Sequence, residues 1–187
     1  LAYQLLILSD MQHKQARATM APPDPPNDAA ITLVIANKNY SSWSLRAWLA
    51  LKHVGVPFEE VVVPLRTPET RAAIMRYSPS GKAPCLVHGD TTVWESLAIC
   101  EYLAERFPAA GLWPEDTRAR AVARAISNEM HGGFLALRRA MPMNLRASLP
   151  GYGMAEGVRD DINRIEAIWR ETRTTFGSGG DMLFGRF

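Results

Sequence analysis

From Ile31 onward the apolar positions fall into a regular order. "ITLVIA" is a short β-branched run suited to a buried strand. A polar stretch follows, and then apolar positions return at helical spacing, with Leu45, Trp48 and Leu49 on one stripe and Ala47, Ala50, Leu51 and Val54 on another. A helix that is apolar nearly all round is expected to be covered on both sides. Gly55 ends it, and "VPFEEVVVPL" supplies a second strand with Val61, Val63 and Leu65 inward. Strand, helix, strand predicts a βαβ unit with parallel strands. "TPETRAAIMRYS" then reads as a short helix, and "SPSGKAPCLVHGDTTVW" as two strands joined in a hairpin at Gly89-Asp90. "ESLAICEYLAERF" closes the unit as a helix with Leu97, Ile99, Cys100, Leu103 and Phe107 facing inward.

The order βαβ then ββα is that of a thioredoxin-like domain, here residues 31–107. "PAAGLWPED", residues 108–116, is a turn-rich linker. Beyond it the spacing is helical only: Ala119, Val122, Ile126, Met130, Phe134 and Leu137, then Val158, Ile162, Ile165, Trp169, Thr172 and Phe176. Two long antiparallel helices around the loop "PMNLRASLPGYG" are predicted. They make residues 117–187 an all-helical C-terminal domain. At the other end, "LAYQLLILSD" is too short to span a bilayer, and Lys14 and Arg17 follow its apolar run, the reverse of a signal peptide. "MAPPDPPNDAA" is too rich in Pro and small residues to repay ordering entropy. Residues 1–30 are therefore expected to be a disordered tail, with Met20 as a candidate start.

Composition narrows the partners. The 187 residues, 47% hydrophobic, suffice for one or two domains. A net charge of +2 without a basic block gives no footprint for nucleic acid, and no membrane association is expected. Cys85 and Cys100 form neither a zinc motif nor a disulfide framework, which points to a reducing compartment, the cytoplasm, and to no metal.

The polar joint "NKNYSSWSL" carries the functional question. On the ordinary reading Ser42 or Ser44 caps the helix that follows. Yet "YSSWSLRAWLAL", "SPSGKAPCL", "WESLAICEYLAERFP" and "LWPED", in that order, resemble the glutathione S-transferase family, in its serine-type group with the zeta and theta-like classes. The similarity runs from about Ile31 to Phe187. It implies a thioredoxin-like domain followed by a helical domain, a homodimer, and glutathione as co-substrate. Family members continue past the equivalent of "LFGRF", so the helical domain is expected to be incomplete here.

The resemblance assigns roles residue by residue. Zeta-like spacing makes Ser41 the donor to the glutathione thiol, and theta-like spacing makes it Ser42; Tyr40 is a weaker candidate. Glutathione's thiol, with an ordinary pKa of about 8.5, is only a few per cent ionised at neutral pH. Depressing it by roughly two units requires about 2.7 kcal/mol of preference for the anion. One hydroxyl donor, about 1.5 to 3 kcal/mol, together with a helix N-terminus, about 0.3 to 1 kcal/mol, is enough. By the same resemblance Pro84 is cis, and Ala83 offers its backbone edge to the tripeptide, a small case of β-augmentation. Ser96 takes the γ-glutamyl carboxylate, Glu95 the α-ammonium and Lys82 the glycine carboxylate. Trp43 stands where zeta members have a cysteine, which disfavours thiol-assisted chemistry and maleylacetoacetate isomerase activity.

Arg46 is assigned to structure, as a charge that needs a partner across the domain boundary. The acceptor pocket is expected between the serine loop and the first long helix, with Trp43 and His131 as candidate residues and Ser127 and Arg138 on the same helical face. The implied function is conjugation of glutathione to a small electrophile. The alternative is a non-catalytic member that keeps the fold to bind glutathione or a protein partner. A thioredoxin or glutaredoxin role ranks third, because the serine loop holds no cysteine.

Overall fold

The computed structural model describes residues 29–186. The expected tail, apart from Ala29 and Ala30, lies outside the described residues. A four-stranded sheet of order β2-β1-β3-β4 forms from β1 (Ile31–Ile35), β2 (Glu59–Val62), β3 (Cys85–His88) and β4 (Thr91–Trp94). β1 runs parallel to β2 and antiparallel to β3, and β3 pairs antiparallel with β4. The Gly89-Asp90 hairpin is present, and Gly89, at φ 58°, supplies the positive φ that a two-residue hairpin needs.

Alternation along β1 sends side chains to two cores. Ile31, Leu33 and Ile35 face helices α1 (Ser42–Val54) and α3 (Ser96–Arg106), where Ala47, Ala50, Leu51, Ile99 and Leu103 meet them. Val34 points the other way, onto Val63, Cys85 and Ile74 of the short helix α2 (Thr70–Met75). β1 is thus a central strand with both faces covered, the environment its apolar run predicts. α1 departs from expectation. Ala47, Ala50 and Leu51 are buried, whereas Leu49 is 49% exposed, so the helix is covered along one stripe rather than all round. Past the end of β2, Val63 is buried but Leu65 is exposed.

The helical layer consists of α4 (Thr117–Gly132), α5 (Leu135–Ala140) and α6 (Val158–Phe176), after a 3₁₀ turn at Pro108–Ala110. The single long helix expected through Leu137 is broken. Gly133 is extended, Phe134 takes a left-handed conformation at φ 62°, and a Cβ on Gly133 would meet the Glu129 carbonyl oxygen at 2.8 Å. Arg138 folds back over the break, donating from Nε to the Gly133 carbonyl at 3.0 Å and from Nη2 to the Met130 carbonyl. A cation thereby satisfies the free carbonyls at the end of α4. Asp161, in the first turn of α6, accepts from the Leu137 amide in α5 at 2.9 Å. In α6 Ile168 is buried and Trp169, predicted inward, is 53% exposed.

Leu33→Ala empties a fully buried site at the centre of the sheet and should cost about 3 kcal/mol, whereas Leu49→Ala should stay within about 0.5 kcal/mol. Urea unfolding of the two variants measures the difference.

Candidate functional site

The joint between β1 and α1 is organised by buried hydroxyls. The amide of Ala36, just past β1, donates to Ser44 Oγ at 3.0 Å. Ser41 Oγ donates to that same Ser44 Oγ at 2.9 Å and accepts from the Ser44 amide at 3.3 Å. Ser41 is therefore the N-cap of α1, in place of Ser42 or Ser44, and its hydroxyl hydrogen is already engaged. Ser42 is the first helical residue and half-buried, and its hydroxyl has no hydrogen-bond partner among the described residues.

Beside this joint lies a cavity of about 270 Å³ lined by Trp43, Lys82, Ala83, Pro84, Glu95, Ser96 and His131. Seven of the nine site residues expected from sequence thus converge on one space. Ser41 and Ser42 flank it through their neighbour Trp43 but do not line it. Four separate segments build the wall: the first turn of α1, the loop before β3, the β4–α3 junction and the last turn of α4. The Ala83–Pro84 peptide is cis. Ala83's backbone N–H and C=O make no hydrogen bond among the described residues.

At the β4–α3 junction Glu95 holds φ at 71°, a conformation costly for a residue with a side chain, of the order of 1–3 kcal/mol. It ends β4 and starts α3 without a side-chain cap. Ser96 follows as the first residue of α3, only 1% exposed, and its Oγ finds no partner. A buried hydroxyl left unsatisfied costs about 1–3 kcal/mol, and this one lies on the cavity wall beside the unpaired amides and positive end of α3. That set of donors suits a carboxylate.

Trp43 is held from three sides. The guanidinium carbons of Arg46 and of Arg138 each stand 4.6 Å from the Trp43 ring centre, and the His131 ring meets it edge-on at 5.1 Å. Arg46 thus reaches the helical layer through an aromatic ring rather than an acid, and no carboxylate of the described residues pairs with it. Burial, and next the charge of Arg138, pull Arg46 below the usual guanidinium range. His131 Nε2 also lies 3.7 Å from Glu95 Oε2, so α4 contacts the β4–α3 junction as well as Trp43. Ser127, expected on the same face as His131, does not line the cavity. Burial pushes the Cys100 thiol up to about 11 and raises Cys85 as well, so both stay protonated and poorly nucleophilic. Among the described residues no group of His, Cys, Asp and Glu is arranged to hold a metal, and no helix is long and apolar enough to cross a membrane.

Sequence reasoning missed two residues that support the site. Ser44 was one of two candidate caps but is the buried acceptor for both strand and loop; the signal was S-x-x-S directly after an apolar strand. Arg138 was placed on the right helical face without a task, and the Gly132-Gly133 pair ahead of it marked the carbonyls it covers.

The sequence model described as "Glutathione S-transferase, N-terminal domain" matches residues 40–106, the segment that carries six of the seven lining residues. A probable maleylacetoacetate isomerase from Caenorhabditis elegans is 31% identical over 145 residues, covering 75% of this chain and 67% of that protein. Dichloromethane dehalogenase from Methylorubrum extorquens is 48% identical over 62 residues, 32% of this chain and 22% of the relative. Glutathione S-transferase 1 from Dianthus caryophyllus is 35% identical over 108 residues, 55% of this chain and 46% of its own length. The chain therefore spans about two thirds of the first relative and less than half of the other two. Among solved structures, a glutathione transferase homologue from Burkholderia, with bound glutathione, superposes with a TM-score of 0.61 at 24% identity, covering 84% of this chain and 73% of that one. Glutathione transferase Omega 2S from Trametes versicolor gives the same score at 21% identity, over 86% and 65%. At these identities the two structures speak for the fold.

Ser44→Ala strips the Ala36 amide of its buried acceptor and should cost about 1–3 kcal/mol, while Ser42→Ala should change stability by less than about 0.5 kcal/mol. Chemical denaturation of the pair, read by tryptophan fluorescence, checks the contrast.

Proposed function

Since the chain belongs to the glutathione S-transferase family, we propose that it binds glutathione in the cavity between α3 and α4 and conjugates its thiol to a small electrophile. The observation that carries this reading is the buried, unpartnered Ser96 hydroxyl at the start of α3. It supplies one donor for the γ-glutamyl carboxylate, beside the free amides of the helix. Glu95 supplies the negative charge for the neighbouring α-ammonium, the unpaired backbone of Ala83 an edge for the peptide, and exposed Lys82 a cation for the glycine end.

The sulfur is then to be held by a hydroxyl at the α1 start. Of the two serines Ser42 is the better placed, because Ser41 spends its hydrogen on Ser44. The electrophile would enter along Trp43. We place the protein in the cytoplasm and read it as a homodimer. The dimer reading is supported by the exposed Trp94, in register with Cys85, and by Met75 and exposed Tyr77, whose carbonyl accepts from Cys85 Sγ.

A second reading, a non-catalytic glutathione-binding or protein-interaction member, is favoured by one specific observation: neither serine lines the cavity. Retention on immobilised glutathione combined with turnover of a chloronitrobenzene separates the two. Retention with turnover supports the enzyme, retention alone the glutathione binder, and no retention removes both of these and leaves the protein-interaction role.

Ser96→Ala should weaken glutathione about 10- to 100-fold, the worth of a hydrogen bond to a charged group, with no loss of thermal stability and a gain of up to about 1–3 kcal/mol, because its hydroxyl bonds to nothing in the fold. Ser42→Ala should lower kcat/KM by about tenfold or more with little change in glutathione affinity. Calorimetry and steady-state rates at saturating glutathione read these separately, and an unchanged rate in both Ser41→Ala and Ser42→Ala would remove the serine mechanism.

A further inference from the structure

His131 is the one lining residue contributed by the helical layer, and the glutathione reading gives it no task. Its surroundings are specific. Nε2 faces Glu95 Oε2 at 3.7 Å, the ring abuts Trp43, and Nδ1 is buried without a partner. The Glu95 carboxylate, half-exposed on a strained backbone, makes this contact from the β4–α3 junction.

We propose that His131 is a positioning residue of the glutathione site: it steadies the Glu95 carboxylate across the domain boundary, and the proton it carries competes with the α-ammonium of glutathione for that carboxylate. The inference rests on the glutathione reading above.

The physical argument turns on one acid and two cations. Unprotonated, the imidazole holds Glu95 by packing and by a weak polar contact, leaving a full negative charge for the incoming ammonium. Protonated, it neutralises that charge and adds a like charge beside the ammonium. The other charged groups near it are Lys82 on the cavity wall, and Arg46 and Arg138 against the Trp43 ring. Of these side-chain types only imidazole ordinarily changes charge between about pH 5 and pH 8. Repulsion between the two cations is reciprocal, so protonation weakens glutathione by the factor by which glutathione disfavours the proton, about tenfold for two cations sharing one carboxylate. Affinity is accordingly full on the alkaline side of the imidazole titration and lost on the acid side. The unpartnered Nδ1 acts in the same direction, since a proton there has no acceptor to receive it.

S-methylglutathione tests the idea, because its blocked sulfur takes thiol ionisation out of the measurement. Calorimetric affinities from about pH 8 to about pH 5.5 should fall roughly tenfold in the native protein. In His131→Gln, which keeps an N–H donor beside Glu95 but does not titrate, affinity near pH 8 should remain within about threefold of native and show no such fall. In His131→Ala, which removes the contact, it should be weaker throughout. Titrations in buffers of differing ionisation heat should show proton release on binding toward the acid end of that range in the native protein and none in the glutamine variant. An equal fall in native and His131→Gln proteins, or a flat native profile, overturns the proposal while leaving glutathione binding intact. No binding of S-methylglutathione at any pH overturns the glutathione reading itself, and this inference with it.

Discussion

Everything at the site depends on how the backbone leaves β1. The Ala36 amide emerges into a buried corner where no strand partner is available, and a buried amide must find an acceptor. Ser44 supplies it from inside the first turn of α1. This locks the start of the helix to the end of the strand, and Ser41 then ties the intervening loop to the same oxygen. Two donors on one oxygen fix the phase of α1. Trp43 is consequently aimed at the cavity, while Ala47, Ala50 and Leu51 are aimed at the sheet.

The opposite wall depends on strain rather than satisfaction. Glu95 sits in a backbone region that side chains avoid, and Ser96 buries a hydroxyl with nothing to bond. Each costs on the order of 1–3 kcal/mol, and two such costs on adjacent residues are a substantial share of a domain's net stability. Neither improves packing. Their common effect is to turn a carboxylate, a hydroxyl and the free amides of α3 toward one space. A ligand with a carboxylate beside an ammonium would give the hydroxyl its missing partner and the carboxylate a counter-charge, offsetting both costs, a stronger argument for an amino-acid-like headgroup than the shape of the cavity alone.

Much of this was legible in the sequence, for identifiable reasons. Strands β1, β3 and β4 and helices α1 and α3 follow directly from apolar period and turn residues, and five of the lining residues, Lys82, Ala83, Pro84, Glu95 and Ser96, follow from the resemblance of their motifs to the family's. What escaped depended on three-dimensional accounting. Leu49 and Trp169 were placed inward by periodicity, but that marks a stripe, not whether a neighbour covers it. The break at Gly133 was invisible to an apolar pattern running on through Phe134 and Leu137, because Phe134 stays buried on either side of the kink. Arg46 was expected to pair across the domain boundary and stacks instead on Trp43 of its own helix, and spacing cannot distinguish those partners.

The two serines show how magnitudes choose between residues that spacing leaves equal. To donate to a thiolate, Ser41 must first give up its bond to Ser44, a buried neutral hydrogen bond worth about 0.5–1.5 kcal/mol net. A charge-assisted bond returns about 1.5–3 kcal/mol, so the exchange leaves Ser41 roughly 1 kcal/mol of useful preference for the anion. Ser42 breaks nothing and keeps the whole sum. Only that larger figure, with the end of α1 adding about 0.3–1 kcal/mol, approaches the roughly 2.7 kcal/mol that a thiol of ordinary acidity requires at neutral pH. On these numbers Ser41 serves best by holding the loop in shape, and Ser42 is the hydroxyl the fold leaves free to meet sulfur.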